Sequence, residues 1–380
     1  MGNRMEKFDV AVVGMGALGS ATAYHLARRG ASVVAFEQFE LGHTRGASHD
    51  TSRIVRTSYG KPHYVRLATS AYRDWAEFSS VAGEDFVTVT GGVVFCPVDG
   101  PYDAGDFTAS LDAVGVPHEL LDPDRVTARW PQFRIPDGVE TVYTPDTGIV
   151  HAARSVAAFQ MQARLHGAVV RDRTPVEAID PGGAGVVVRT AHGPVRARKV
   201  VLATDAWTDA LLAPIGAGVD LVPMQEQVTY FAPADPAAFD RTRFPVWIWE
   251  DEQCFYGFPT YGEPTVKAAR DRSDNLMTPQ ERTYVPSPEL LAELSSFVGA
   301  TVPGAGPPLR TVTCQYAVTP ERRFAIGPVP GHPDVLLGLG AGHAFKFTPA
   351  IGRILAELAV DGGTADDVSA FAVDHVRSAA

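Results

Sequence analysis

The stretch from Phe8 to Glu37 constrains this chain more than any other. Val10-Ala11-Val12-Val13 is a short apolar run of the kind that forms a parallel strand buried on both faces. Gly14, Gly16 and Gly19 follow at G-x-G-x-x-G spacing, with Ala17 and Leu18 between the last two. In that arrangement the first glycine permits a tight turn and the second lets the backbone approach a pyrophosphate. The third lets the following helix pack close on the strand. Ala21, Ala23, Leu26 and Ala27 share one face of a helix predicted over 20–29, and Gly30 is placed to end it. The helix N-terminus offers free N–H groups and the positive end of its dipole to phosphates. Glu37 closes a second apolar strand 18 residues after Gly19, where its carboxylate can accept hydrogen bonds from a ribose. An acid there disfavours a ribose 2′-phosphate. The stretch predicts a dinucleotide site for FAD or NAD and does not separate the two.

A chain of 380 residues is long enough for two domains. Its formal net charge of -11 argues against a nucleic-acid or anionic-membrane surface. Cys96, Cys254 and Cys314 are far apart and odd in number, which gives no disulfide framework and no metal-ligand pattern. No apolar run reaches the roughly 18 residues of a transmembrane span. The first strand begins within a few residues of Met1, position 6 is Glu rather than a hydroxyl residue, and the tail is no peroxisomal address. A cytoplasmic protein without a leader or anchor is expected.

The loop after Glu37 leads through Gly46-Ala47-Ser48-His49 to Arg53 and Arg56, which share a face if the segment is helical. Such a pair beside a dinucleotide site suits a substrate carboxylate or the cofactor's phosphates. An amphipathic helix is predicted over 62–78, a hairpin-like strand over 88–97 and a helix from about Ser155. Residues 186–201 alternate through a hairpin and return to the apolar strand Val200-Val201-Leu202, which is expected to rejoin the first sheet. From Leu221 the pattern changes to antiparallel strands rich in aromatics, with a helix over 286–298 and a loop over 299–308. The chain has 28 arginines and only five lysines, and two of the lysines, Lys267 and Lys346, sit in apolar strings. Burying a lysine costs free energy unless the charge has a use or a partner. Lys346 also follows the glycine turn Gly338-Leu339-Gly340-Ala341-Gly342-His343 and precedes a helix expected to start with Thr348 as N-cap and Pro349 in its first turn. A cation and a helix N-terminus together make an anion site.

Four segments resemble the monomeric sarcosine oxidase and N-methyltryptophan oxidase family of FAD-dependent amine oxidases, related to D-amino-acid oxidase. They are the fingerprint with Glu37, the run from Gly46 to Arg56, Tyr256-Gly257-Phe258-Pro259 through Lys267, and Cys314-Gln315-Tyr316 with Gly342-His343-Ala344-Phe345-Lys346-Phe347. The resemblance implies an α/β fold, with a Rossmann-like FAD-binding domain and a second α+β substrate domain on a mixed, largely antiparallel sheet. The FAD domain is expected from 1–82, 146–219 and 320–380, and the substrate domain from 83–145 and 220–319. FAD is implied rather than NAD, attached through a thioether from Cys314. Arg56 and Lys346 would hold the substrate carboxylate, with Tyr316 beside them. Arg53 would lie against one face of the flavin. Lys267 would stand on the other, near N5, where a cation stabilises the negative charge that dioxygen acquires. His49 and Tyr256 would line the reacting centre, while Ser48, Ser52, Gly342, His343 and Phe345 would contact the flavin.

The activity implied is oxidation of a secondary amine carrying a carboxylate to an imine, with O2 reduced to hydrogen peroxide, by a chain expected to be a monomer. A dehydrogenase with another electron acceptor, an NAD-dependent dehydrogenase and a non-catalytic flavin-binding protein are the alternatives. Four positions depart from the family pattern. Ser48 stands where relatives often carry a histidine, and Asp271 replaces a histidine four residues beyond Lys267. Ala317 replaces a threonine of some relatives, and Asp205 replaces a turn glycine. An acid at 271 is expected to favour a substrate with a further polar or cationic group. Asp205 is expected to keep the left-handed turn.

Overall fold

The computed structural model describes residues 5–377. The Met-Gly start and the last three residues, on which the expectations about an anchor and an address rest, lie outside the described residues.

Strand Glu6–Val13 is the centre of an eight-stranded sheet. It pairs in parallel with Val33–Phe36 on one side and Val195–Leu202 on the other, so the chain does return to the first sheet as the apolar run at 200–202 predicts. Val169–Arg171 extends one edge. On the other edge, Val195–Leu202 pairs first with a hairpin strand, Gly185–Thr190, and then in parallel with His332–Leu339. Val10, Ala11 and Val12 are buried on both faces. Even-numbered Val10 and Val12 enter a core with helices Ala17–Arg28, Pro62–Ala82 and Thr348–Val360, whereas Ala11 and Val13 face a second core under the hairpin. The first helix starts at Ala17, three residues earlier than predicted, because the glycine turn itself feeds the helix.

A second eight-stranded sheet runs in the order Pro308–Val318, Val222–Phe231, Val266–Asp271, Cys254–Phe258, Val246–Trp249, Gly92–Pro97, Val139–Thr144, Glu119–Leu121. Every pairing is antiparallel except that of Val246–Trp249 with Gly92–Pro97. Its outer face buries Trp247, Phe133, Phe244 and Phe255 against helix Pro288–Thr301. Most of the aromatics after Leu221 are therefore core.

Several local expectations are corrected. The hairpin-like strand at 88–97 is two strands in different sheets: Val87–Val89 joins Gly148–Val150 and Arg53–Val55 in a three-stranded sheet, while Gly92–Pro97 joins the large one. The helix expected from Ser155 begins at Ala152, and the helix of 286–298 runs three residues into the predicted loop. Thr348 is the first helical residue rather than the N-cap. Its hydroxyl donates back to Phe345 O at 2.6 Å, because a 3-10 turn over Phe345–Phe347 leads directly into the helix.

Candidate active site

One cavity of about 650 Å³ runs from the glycine turn to the second sheet. At its first end, Gly14 has φ +90°, and a Cβ there would lie 2.5 Å from Ala203 O. Gly19 does not line the cavity; a Cβ on it would meet Gly14 O at 1.8 Å, so it serves the close packing of helix on turn. The Met15 N–H donates to Glu37 Oε2 at 2.9 Å and the Ala17 N–H to Ser48 Oγ at 3.0 Å. Burial works against the charge on Glu37, but donors from His43, Met15 and Phe39 outweigh it and hold the carboxyl below its ordinary range.

Arg53 and Arg56 come from extended backbone, not a helix: strand Arg53–Val55 carries one and the residue after it the other. Their odd spacing turns them apart along the strand, yet both line the cavity. Arg53 is anchored by Nη1 to Ser52 O and Nη2 to Ala47 O, both at 2.9 Å, and lies 5.9 Å from the centroid of the Phe345 ring. Arg56 sits 4.6 Å over the Tyr59 ring and makes long contacts of 3.3 and 3.4 Å to Glu250 Oε1. The Lys346 ammonium is 5.8 Å from the same Tyr59 ring and donates to His343 O at 2.8 Å. Its backbone is fixed by buried Trp75, whose indole N–H donates to Lys346 O at 2.8 Å. Burial, together with the Arg56 and Arg322 guanidiniums, pulls Lys346 well below its ordinary range. Burial and Arg322 do the same to His343, whose Nε2 meets Arg322 O at 3.0 Å.

On the second sheet, Tyr256, Tyr316 and Lys267 also line the cavity. Lys267 is 3% exposed and donates to Asp50 Oδ2 at 2.6 Å and to Ser52 O and Oγ at 3.1 Å. Burial pushes Lys267 down to about 8, with Asp50 pulling it back up and Arg53 pushing it further down. His49 is pushed down to about 4, mainly by burial and then by Arg53, so its imidazole is neutral at pH 7. Cys314 shares a strand face with Tyr316 but is only 4% exposed and does not line the cavity. It stands opposite Glu226 in the neighbouring strand, and burial pushes its thiol up to about 11.

Sequence reasoning missed four charged or aromatic partners: Asp50, Tyr59, Glu250 and Arg322. Arg322 changes the reading of Asp271. The two side chains form a short ion pair, and although burial opposes the Asp271 charge, Arg322 outweighs it. The acid at 271 therefore adds no free negative charge to the chamber. No signal near Asp271 in the sequence marks its partner 51 residues away. Asp50 carried a weak one, an acid three residues before an arginine.

Comparison with known proteins agrees with this layout. Residues 9–358 match the family model described as FAD dependent oxidoreductase. The chain belongs to that family. It is 31% identical over 374 residues to monomeric sarcosine oxidase from a Bacillus species, covering 97% of each chain. It is 28% identical to N-methyl-L-tryptophan oxidase of Citrobacter koseri, covering 97% of this chain and 99% of the relative. Among solved structures, NikD, described as an unusual amino acid oxidase essential for nikkomycin biosynthesis, superposes with a TM-score of 0.86 at 29% identity over 99% of both chains.

The family's cofactor fits the residues present. His49 Nε2 and Asp205 Oδ2 are buried, line the cavity and have no hydrogen-bond partner, as expected of groups that face a bound molecule. Asp205 keeps the left-handed turn with φ 46°, and burial pushes its carboxyl up to about 7. In the neutral form it can donate a hydrogen bond beside the glycine turn. Among the described residues no helix is long and apolar enough to cross a membrane.

Proposed function

We propose that this protein oxidises a secondary amine bearing a carboxylate, an N-methyl or cyclic amino acid, to an imine, and passes the electrons to dioxygen. The observation that carries this reading is the pairing of charges around Lys346. Its cavity-lining neighbours Arg56 and Arg322 each face an acid, Glu250 and Asp271, whereas the Lys346 side chain is bonded only to the His343 carbonyl. Burial, then Arg56 and Arg322, disfavour the Lys346 ammonium, and an incoming carboxylate would offset them and be held by it. The names of the relatives, sarcosine oxidase and N-methyl-L-tryptophan oxidase, support a substrate of this class.

FAD, when bound, supplies the acceptor for two electrons and the hydrogen on the carbon next to the amine. The chain's own residues do the rest. Gly14, Gly16, Ala17, Leu18 and Glu37 would hold the nucleotide end, with Ser48 beside them at the Ala17 N–H, while Ser52, Gly342, His343 and Phe345 would hold the ring end. Arg53, locked by two carbonyls, presents a flat cation to the ring. Arg56 and Lys346 clamp the carboxylate so that the reacting C–H bond is oriented, with Tyr316, Tyr256 and His49 closing the walls. Lys267 keeps a positive charge where dioxygen takes up two electrons and two protons and leaves as hydrogen peroxide. Cys314, on the strand face of Tyr316, would carry the flavin through a thioether. The FAD-binding part comprises 1–82, 146–219 and 320–380, and the substrate part 83–145 and 220–319. The protein works as a cytoplasmic monomer, in keeping with its acidic charge and scattered cysteines.

Acid precipitation tests the cofactor: a yellow pellet with a colourless supernatant is expected, and Cys314→Ala should move the colour to the supernatant. Anaerobic mixing with a panel of secondary amino acids tests the chemistry. A yellow protein that none of them bleaches would refute the amine-oxidising reading, and reduced enzyme that air does not reoxidise would make it a dehydrogenase.

A further inference from the structure

Asp50 is held in an unusual way. It stands in the loop before strand Arg53–Val55 with φ 77°, a left-handed conformation that aspartate adopts more readily than most side chains. Its Oδ2 accepts the 2.6 Å bond from Lys267, 217 residues away, and its Oδ1 accepts a 2.6 Å bond from the Tyr230 hydroxyl. The Tyr230 hydroxyl also meets Thr51 Oγ1 at 3.2 Å, and the Arg310 guanidinium covers the Tyr230 ring at 3.7 Å. The Asp50 carboxylate is therefore fixed from two sides.

Lys267 has three N–H donors and three acceptors, Asp50 Oδ2, Ser52 O and Ser52 Oγ, which leaves its ammonium one orientation. The groups around it come from every packed element. Arg53 is a cation whose Nη1 lies 4.0 Å from Asp50 Oδ2. His49 and Cys314 are both neutral at pH 7, the first pushed down to about 4 and the second up to about 11. The Tyr230 and Phe258 rings lie 5.5 and 5.1 Å from the Lys267 nitrogen. Burial and Arg53 both disfavour the ammonium, and Asp50 is the carboxylate that opposes them.

We propose that Asp50 is the positioning residue for Lys267: it holds the proton on that buried ammonium and fixes its direction, so that dioxygen is reduced beside a cation at neutral pH. This rests on the reading of Lys267 as the oxygen-reducing residue. It adds that the competence of the lysine depends on an acid supplied by a different segment. Without the carboxylate, Lys267 holds its proton less tightly and the site loses its charge at a lower pH. At lower pH the proton returns.

The test uses the holoenzyme reduced photochemically without amine and then mixed with oxygenated buffer. In Asp50→Asn the reoxidation rate should fall about tenfold or more at about pH 8 and recover toward wild type at about pH 6, because above the lysine's lowered value each unit of falling pH raises the protonated fraction about tenfold. Reduction by amine should change little. A second readout is the visible spectrum of the oxidised flavin titrated with base. Its midpoint, expected at about 8 in the wild type, should move to lower pH in Asp50→Asn and vanish in Lys267→Met. Asp50→Gly accommodates the left-handed backbone while removing the carboxylate and should behave like Asp50→Asn, which keeps the test open if the asparagine variant folds badly. An unchanged rate, or a loss equal at every pH with no shift of midpoint, would overturn the role of Asp50. If Lys267→Met itself reoxidises as fast as wild type, the underlying reading of Lys267 is what fails.

Discussion

Replacing Lys346 by methionine tests the carboxylate clamp most directly. The methionine preserves most of the aliphatic length, and the backbone at 346 stays tied by Trp75, so the change removes a charge rather than a wall. A hydrogen bond to a charged group contributes about 1.5–3 kcal/mol. At tenfold for each ~1.4 kcal/mol, kcat/KM for the acid substrate should fall roughly 10- to 150-fold. The carboxamide analogue of the same substrate lacks the anion, and its kcat/KM should change much less. Equal losses for acid and amide would refute the clamp.

The same substitution has a pH signature. Because the Lys346 value is depressed in the fold, the unfolded chain binds the proton more readily between that depressed value and about 10.4. Wild-type stability therefore rises with pH across this window, and Lys346→Met lacks that contribution. The Tm of the variant minus that of the wild type should shift in favour of the wild type as pH is raised from about 7 to about 10. A difference that stays flat would mean that Lys346 carries no burial penalty.

Three further outcomes are expected. Gly14→Ala forces a left-handed alanine and a contact 2.5 Å from Ala203 O; the strain and overpacking together should cost about 2–5 kcal/mol, read as a lower Tm and loss of flavin from purified protein. In Cys314→Ala, where the reading leaves FAD free to exchange, flavin should bind more weakly as pH rises through 7, because Asp205 loses its proton at about 7 and then repels phosphate. Asp205→Asn should remove that dependence in a fluorescence titration. Arg322→Met strands the partly buried Asp271 and should destabilise by about 3 kcal/mol in a denaturant melt, whereas adding Asp271→Asn should recover most of it. No recovery would show that the pair is not the reason.

Much of this protein was determined by its sequence alone. The parallel strand Glu6–Val13, the glycine turn, the helix after it and Glu37 were legible because each rests on a local requirement: an apolar run, a left-handed glycine, an acid at a strand end. The return of the chain to the first sheet was legible too, since only a strand buried on both faces needs a run like Val200-Val201-Leu202. Other features were decided by the tertiary structure. Arg53 and Arg56 are on extended backbone because the strand they enter pairs with Gly148–Val150, nearly a hundred residues on. The apparent hairpin at 88–97 divides because each half finds its partners in a different sheet. The charges of the chamber were hidden for the same reason. Asp50 meets Lys267, Arg56 meets Glu250 and Asp271 meets Arg322 only when the two sheets close on one cavity. Periodicity reads neighbours along an element; ion pairs between distant segments are set by how the elements pack.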